Sequence, residues 1–368
     1  MLIAPDCFGD TLTASEAARA IADGWMAAAP DDELTLRPLA DGGQGFVEVL
    51  HSVLGGTPHE VLVTGPLGEP VTARWLEHDG TGYLESAQAC GLHLMRRRDP
   101  DAAGLAGSWG VGELLLAAGE AGMREVVVGL GGSACSDGGA GMLAALGAVP
   151  VDADGDELPQ GGLALAGCVG VHGDIELPFR LVAASDVENP LLGEHGAAAT
   201  FGPQKGADEQ TVRALETGLS RWAEVLAGVA RRDVRELTGA GAAGGLGAGL
   251  LALGARRDSG AGIVRRLTGL DIALDTAQLV LTGEGSFDWQ SLRGKLVTAV
   301  AAGAAERGAP CLVLAGQVGV DRRRAAAAGV HAAYAVAEHA GSVHAALADP
   351  AGTLAALASH VAAQWSTS

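Results

Sequence analysis

Short apolar runs in this chain repeatedly end in loops of glycine and acid, and most of these loops lead into a helical stretch. Leu2-Ile3-Ala4 reaches Asp6, and the alternating run from Leu34 to Pro38 reaches ADGG, with Asp41. Val126-Val127-Val128 reaches GLGGSACSDGG, with Asp137, and Leu181-Val182-Ala183 reaches SDVEN, with Asp186. Leu279-Val280-Leu281 reaches TGEGSFD, with Glu284 and Asp288. Strand, loop and helix in alternation specify an α/β fold with a largely parallel sheet. In such sheets ligands collect at the carboxyl ends of strands, which is where these acids and glycines stand.

Local signals support individual elements. Ala14 to Ala28 carries a helical pattern, with Thr13 as N-cap and Glu16 as the matching acid three positions on. Residues 71–76 and 81–86 predict a hairpin around His78-Asp79-Gly80. No fixed-period repeat appears, and no linker-like stretch divides the chain. The hairpin and the glycine-rich middle differ from both ends. This predicts a discontinuous Rossmann-like α/β domain, residues 1–65 plus 275–368, with a mixed α/β domain, 66–274, inserted into it.

Charge narrows the function classes. The net charge is −20, and Arg96-Arg97-Arg98 is too short to make a basic footprint, which excludes a nucleic-acid surface. Anionic ligands must then be held locally, by backbone N–H groups, single cations or metal ions. Five cysteines without CxxC spacing predict reduced thiols. No basic and apolar leader and no long apolar window appear, so a cytoplasmic protein without membrane contact is expected. Two lysines, Lys205 and Lys295, stand against 22 arginines. They mark places where a compact ammonium on a flexible stem is wanted, as at a phosphate.

Carboxylates near glycine-rich turns and one or two lysines are what Mg²⁺–nucleotide chemistry needs. GxxxxGK[ST] is absent, because Trp289 occupies the first glycine position before Gly294-Lys295 and Leu296 replaces Ser/Thr. Gly129 to Ala134 fits GxGxxA after a strand, which keeps a dinucleotide reading open. GxSxG, HExxH and HxxxH are absent.

The motifs APDCFGDTLTA, LADGGQG, VTGPLGEPV, GLGGSACSDGGAGMLAALG, SDVENPLLGEHGAAATFGPQKGA, GAGAAGGLGAG and LVLTGEGSFDWQSLRGK run in order from residue 4 to 295. Together they resemble the type-1 glycerate kinases over essentially the whole chain. The resemblance implies two α/β domains with the active site in the cleft between them. It implies transfer of the ATP γ-phosphoryl group to glycerate, giving 2-phosphoglycerate, with Mg²⁺. It makes Asp186 and Asp137 candidates for metal binding or for accepting the substrate hydroxyl proton, with Asp288 and Glu284 next. Lys205 and Lys295 would contact phosphate or the substrate carboxylate. Gly131, Gly132 and Ser133, with Gly283, Glu284 and Gly285, would bind the nucleotide, and Asp6, Asp41, Gln44 and Asn189 the substrate. A monomer or homodimer is expected.

Four positions, in three motifs, depart from the family pattern. PDSFK reads Pro5-Asp6-Cys7-Phe8-Gly9 here, ADGGEG has Gln44, and the asparagine before DGG is Ser136. A kinase of the same fold acting on another small hydroxy acid, and a non-catalytic metabolite- or nucleotide-binding relative, are the alternatives these changes raise.

Overall fold

The computed structural model describes residues 1–230, 232–289, 291–293 and 296–366. In chain order the strands are β1 Leu2–Ile3, β2 Thr35–Leu36, β3 Thr57–Thr64, β4 Pro70–His78, β5 Thr81–Glu85, β6 Glu125–Gly129, β7 Val149–Val151, β8 Gly170–His172, β9 Arg180–Ala184, β10 Arg256–Asp258, β11 Val280–Phe287, β12 Cys311–Val318 and β13 Ala332–Ala335. Two units form. Unit 1 comprises residues 1–40, 48–54 and 264–368, and unit 2 comprises 41–47 and 55–263.

Unit 1 holds a sheet of order β13-β12-β11-β1-β2, and every pairing in it is parallel. The Ala14–Ala28 helix starts with the predicted capping box, Thr13 and Glu16 each satisfying a backbone N–H of the other's end. Its inner face buries Ile21 and Trp25 beneath Leu354, Leu357 and Val361 of the Pro350–Trp365 helix. Each such aliphatic side chain contributes about 1.5–3 kcal/mol when fully removed from water. Gly24 permits the close approach, since a Cβ there would lie 2.0 Å from the Ala355 carbonyl oxygen.

One strand differs from expectation. The run at 279–281 was expected to end in a TGEG turn, yet β11 continues to Phe287. It keeps pairing with β12 from Val280↔Cys311 to Phe287↔Val318. Gly283 lets β11 pack closely there, because a Cβ would meet the Leu314 oxygen at 2.1 Å. Ladder hydrogen bonds win over the local turn signal.

Unit 2 holds a mixed sheet of order β10-β9-β6-β5-β4-β3. β5, β6, β9 and β10 run parallel, and β3 and β4 pair antiparallel at one edge. The β4–β5 hairpin turns through Asp79 (φ 51°) and Gly80 (φ 75°), the left-handed pair a two-residue turn requires. A separate β7–β8 ribbon completes the strands. The core beneath the sheet is aliphatic, with Trp75 and Trp222 as its largest members. No described helix is long and apolar enough to cross a membrane.

Candidate anion and substrate site

Parallel neighbours β5, β6 and β9 deliver three loops to one end of the unit 2 sheet. The middle loop follows β6. Leu130 N–H bonds the Ala184 carbonyl, holding the start of the loop against the end of β9. Gly91 and Ser133 then form an isolated antiparallel bridge, with Leu92 N–H on Gly132 O and Ala134 N–H on Cys90 O, each 2.7 Å. Ser133 is the non-hydrogen-bonded member of that pattern, so its own N–H points away from the partner segment. Gly132 takes φ +64°. Among the described residues the N–H groups of Gly131, Gly132 and Ser133 meet no acceptor. Successive N–H groups freed in this way form a concave anion-binding turn.

The loop before the Phe46–Leu54 helix lies against this turn. A Cβ on Gly131 would sit 2.6 Å from Gly43 Cα, and one on Gly129 would sit 2.4 Å from Gly42 O. Only glycine allows two backbones to run this close. Asp41 is exposed and accepts Gly43 N–H on Oδ1 at 2.9 Å. Gln44 is exposed beside it. Glu85, at the end of β5 and 1% exposed, takes Gly45 N–H at 3.1 Å and Val47 N–H at 3.4 Å on Oε2. Sequence reading passed over Glu85. Its only signal was its place at a strand end, which became informative once β5 was known to neighbour β6.

Asp137 is fully buried. Oδ2 accepts Ser108 N–H (2.9 Å), Ser108 Oγ–H (2.8 Å) and Gly141 N–H (3.1 Å), and Oδ1 accepts Gly139 N–H (3.1 Å). Ser108, also missed in the sequence, extends the brace by taking Met142 N–H at 3.0 Å. Lys205 is buried as well, at 2% exposure. Its Nζ donates to Cys135 O at 2.5 Å and to Ser133 Oγ and Ser136 Oγ at 3.4 Å each. Burial lowers its pKa, against the opposing pull of Cys135, Cys90 and Asp137. Cys90 and Cys135 face each other with sulfurs 3.7 Å apart. The neighbouring Cys135 thiol, then burial, push the Cys90 thiol well above its usual range.

The loop after β9 is different. Asp186 is exposed. Its Oδ2 accepts Ala261 N–H at 2.9 Å, at the start of the Gly260–Leu267 helix. Its Oδ1 has no partner among the described residues. Gly260 brings that helix start beside the 41–45 loop, since a Cβ there would fall 1.9 Å from Asp41 O. Asn189 is spent locally, donating to His195 O at 2.8 Å and Thr200 Oγ1 at 3.4 Å. Unit 2 thus gathers Asp41, Gln44, Gly131, Gly132, Ser133 and Asp186 around adjoining loops. Asp137 and Lys205 sit beneath the turn. Among the described residues no three His, Cys, Asp or Glu side chains are grouped to hold a metal.

Unit 1 carries the other motif residues. Asp6 N–H bonds Gly283 O at 2.8 Å, and Asp6 Oδ1 accepts Cys7 N–H. Glu284 is buried within β11, and Gly285 allows the Phe8–Gly9 backbone to pass at 3.1 Å from its Cβ position. Asp288 is half-buried, its N–H on Ser291 Oγ at 3.2 Å. Lys295 lies outside the described residues.

The sheets define a two-unit α/β protein with mostly parallel strands. The family model described as the glycerate kinase family matches residues 1–366, and the chain belongs to that family. A glycerate 2-kinase of Escherichia coli strain K12 is 43% identical over 334 residues, covering 87% of this chain and 86% of the relative. A glycerate kinase of Bacillus subtilis strain 168 is 40% identical over 345 residues, covering 91% and 90%. An uncharacterised Mycobacterium bovis protein is 50% identical over 367 residues, covering 99% and 91%. A solved structure from Salmonella typhimurium LT2, provisionally named glycerate kinase 2, superposes with TM-score 0.79 at 38% identity, covering 99% of this chain and 97% of that one.

Proposed function

We propose that this chain is an ATP-dependent, Mg²⁺-requiring kinase that phosphorylates glycerate to 2-phosphoglycerate. The observation that carries the proposal is the glycine-built turn of unsatisfied N–H groups at Gly131–Ser133 in the same loop cluster as the exposed Asp186 carboxylate. The residues present fit the group. A turn whose Gly131 has no room for a Cβ and whose N–H groups are free suits phosphate oxygens, and a carboxylate with a free oxygen suits a hard cation. ATP and Mg²⁺ would supply the phosphoryl group and neutralise its oxygens.

The chain's own part is positioning and charge. Gly131, Gly132 and Ser133 donate N–H groups to phosphate oxygens. Asp186 Oδ1 takes a cation or the proton of the substrate hydroxyl, and the Ala261 N–H fixes the carboxylate for either task. Asp137, with both oxygens engaged by N–H and O–H donors, serves by shaping the turn. Asp41, Gln44 and Asn189 border the substrate side, and Asp6 keeps the role its motif implies. In unit 1 we extend the reading to Gly283, Glu284, Gly285 and Asp288 as nucleotide contacts, and to Lys295 as a phosphate contact. The five free thiols fit a reducing compartment, the cytoplasm.

Gly9 favours a second reading, a kinase of another small hydroxy acid. Position 9 takes φ +58°, and nothing lies within 4 Å of its Cβ position. The family's lysine would therefore have room for its stem but not a relaxed backbone. ADP release with MgATP should exceed background with D-glycerate. Release only with another hydroxy acid moves the assignment to the second reading. None with any acid, beside measurable MgATP binding, leaves a non-catalytic relative.

A further inference from the structure

The family resemblance implies that Lys205 contacts phosphate or the substrate carboxylate directly. Its position argues otherwise. An ammonium has three protons, and Cys135 O, Ser133 Oγ and Ser136 Oγ account for three acceptors. With 2% of the side chain exposed, no face is left for a ligand. We propose that Lys205 is a positioning residue: it fixes the Cys135 peptide and the Ser133 and Ser136 hydroxyls from beneath, and lends its charge to an anion on the turn without touching it. The proposal rests on the anion-turn reading above.

Three features support it. First, all three partners are neutral oxygens, so the positive charge is not cancelled at contact, and Asp137 acts on it only through space. A buried charge left in this state is costly unless another charge compensates it. Asp137 supplies part of that compensation from a distance, and a bound phosphate group would add to it, in a low-dielectric surround where attraction over several ångströms stays strong. Second, the short bond to Cys135 O sets the plane of the 135–136 peptide. The 135–136 peptide is trans, so the same contact aims the Ser136 N–H away from the ammonium. Ser133, the third hydrogen-bond partner, is also one of the three residues whose N–H groups are free on the turn.

Third, the surroundings give up backbone comfort to seat the lysine. A Cβ on Gly244 would lie 1.9 Å from Cys135 O and 2.7 Å from Nζ. Gly244 takes φ +68°, and its neighbour Ala243 takes φ +52°, a left-handed conformation that is strained for a non-glycine residue. Gly244 O also accepts Gly138 N–H at 3.1 Å, tying this segment to the far side of the turn. A planar guanidinium is broader than an ammonium. In a chain that uses arginine at 22 positions, this pocket holds one of two lysines.

The test is Lys205→Met, which keeps length and removes charge, read three ways on the full chain. These are hydrogen exchange of residues 131–137, the Kd for inorganic pyrophosphate by calorimetry, and global unfolding. The expected result is turn amides exchanging about 10-fold faster, amides of β6 and β9 keeping parent rates, and Kd weakened about 10-fold or more. Unchanged Kd overturns the proposal, whether the turn exchanges at the parent rate or exchange rises evenly through unit 2. Parent protein that binds no pyrophosphate overturns the anion-turn reading itself, a result distinct from parent and variant binding alike. If Lys205→Met does not fold, Ser136→Ala removes one of the three acceptors and reads the same quantities, with the same outcomes deciding.

Discussion

The loops after β6 and β9 leave neighbouring strands of one sheet, and each carries an aspartate in a short polar motif. Asp137 is fully buried, with four donors on its two oxygens, while Asp186 is exposed, with a single N–H on one oxygen. The first carboxylate has been spent on folding, and it holds a turn whose backbone N–H groups remain free. The second has been spared by folding and is open to a cation or a proton. A carboxylate's availability follows from its donors and its burial, and its strand-end position alone does not reveal it.

That contrast breaks cleanly if the two aspartates are removed in turn. Asp186→Asn should lower glycerate-dependent turnover by about 1,000-fold while thermal unfolding stays near the parent's. Steady-state ADP release and a melting curve decide it, and parent-like turnover would remove Asp186 from the reacting groups. Asp137→Ala should instead cost about 3–5 kcal/mol of stability, because four buried donors lose their acceptor. Denaturant unfolding measures this. A variant that unfolds like the parent yet has lost turnover would move Asp137 into the chemistry and erase the distinction.

A smaller effect concerns pH. Burial lowers the Lys205 pKa from 10.5, so between the lowered value and 10.5 the unfolded chain holds a proton that the folded chain lacks. Stability from this group therefore rises as pH climbs through that window. Cys90 and Cys311 run the other way, since burial pushes Cys311 up to about 12 and Cys90 is also raised. Subtracting the Lys205→Met profile from the parent's isolates the lysine. The difference should grow in the parent's favour toward alkaline pH, and a flat difference would show that Lys205 is not desolvated.

Features set by local chemistry were legible in the sequence. The Thr13–Glu16 capping box and the Asp79-Gly80 hairpin depend on residues within four positions of each other, and both stand as expected. The α/β class follows from the same short-range alternation. The divergent fates of Asp137 and Asp186 depend on Ser108, 29 residues before the first, and on Ala261, 75 residues after the second. No short window contains those partners. Glu85 escaped for a related reason, since its loop partners Gly45 and Val47 lie about 40 residues away. β11 was cut short because TGEG reads as a turn in isolation, whereas β12 supplies the ladder that extends it.

The scarcity of lysine has a practical consequence. An amine-reactive ester added to the folded protein finds Lys205 sealed under its turn. Acylation of Lys205 can proceed only as fast as the turn lets the amine out. The rate at which Lys205 gains mass thus becomes a clock for local opening, one that needs no substituted residue and no assumption about the ligand.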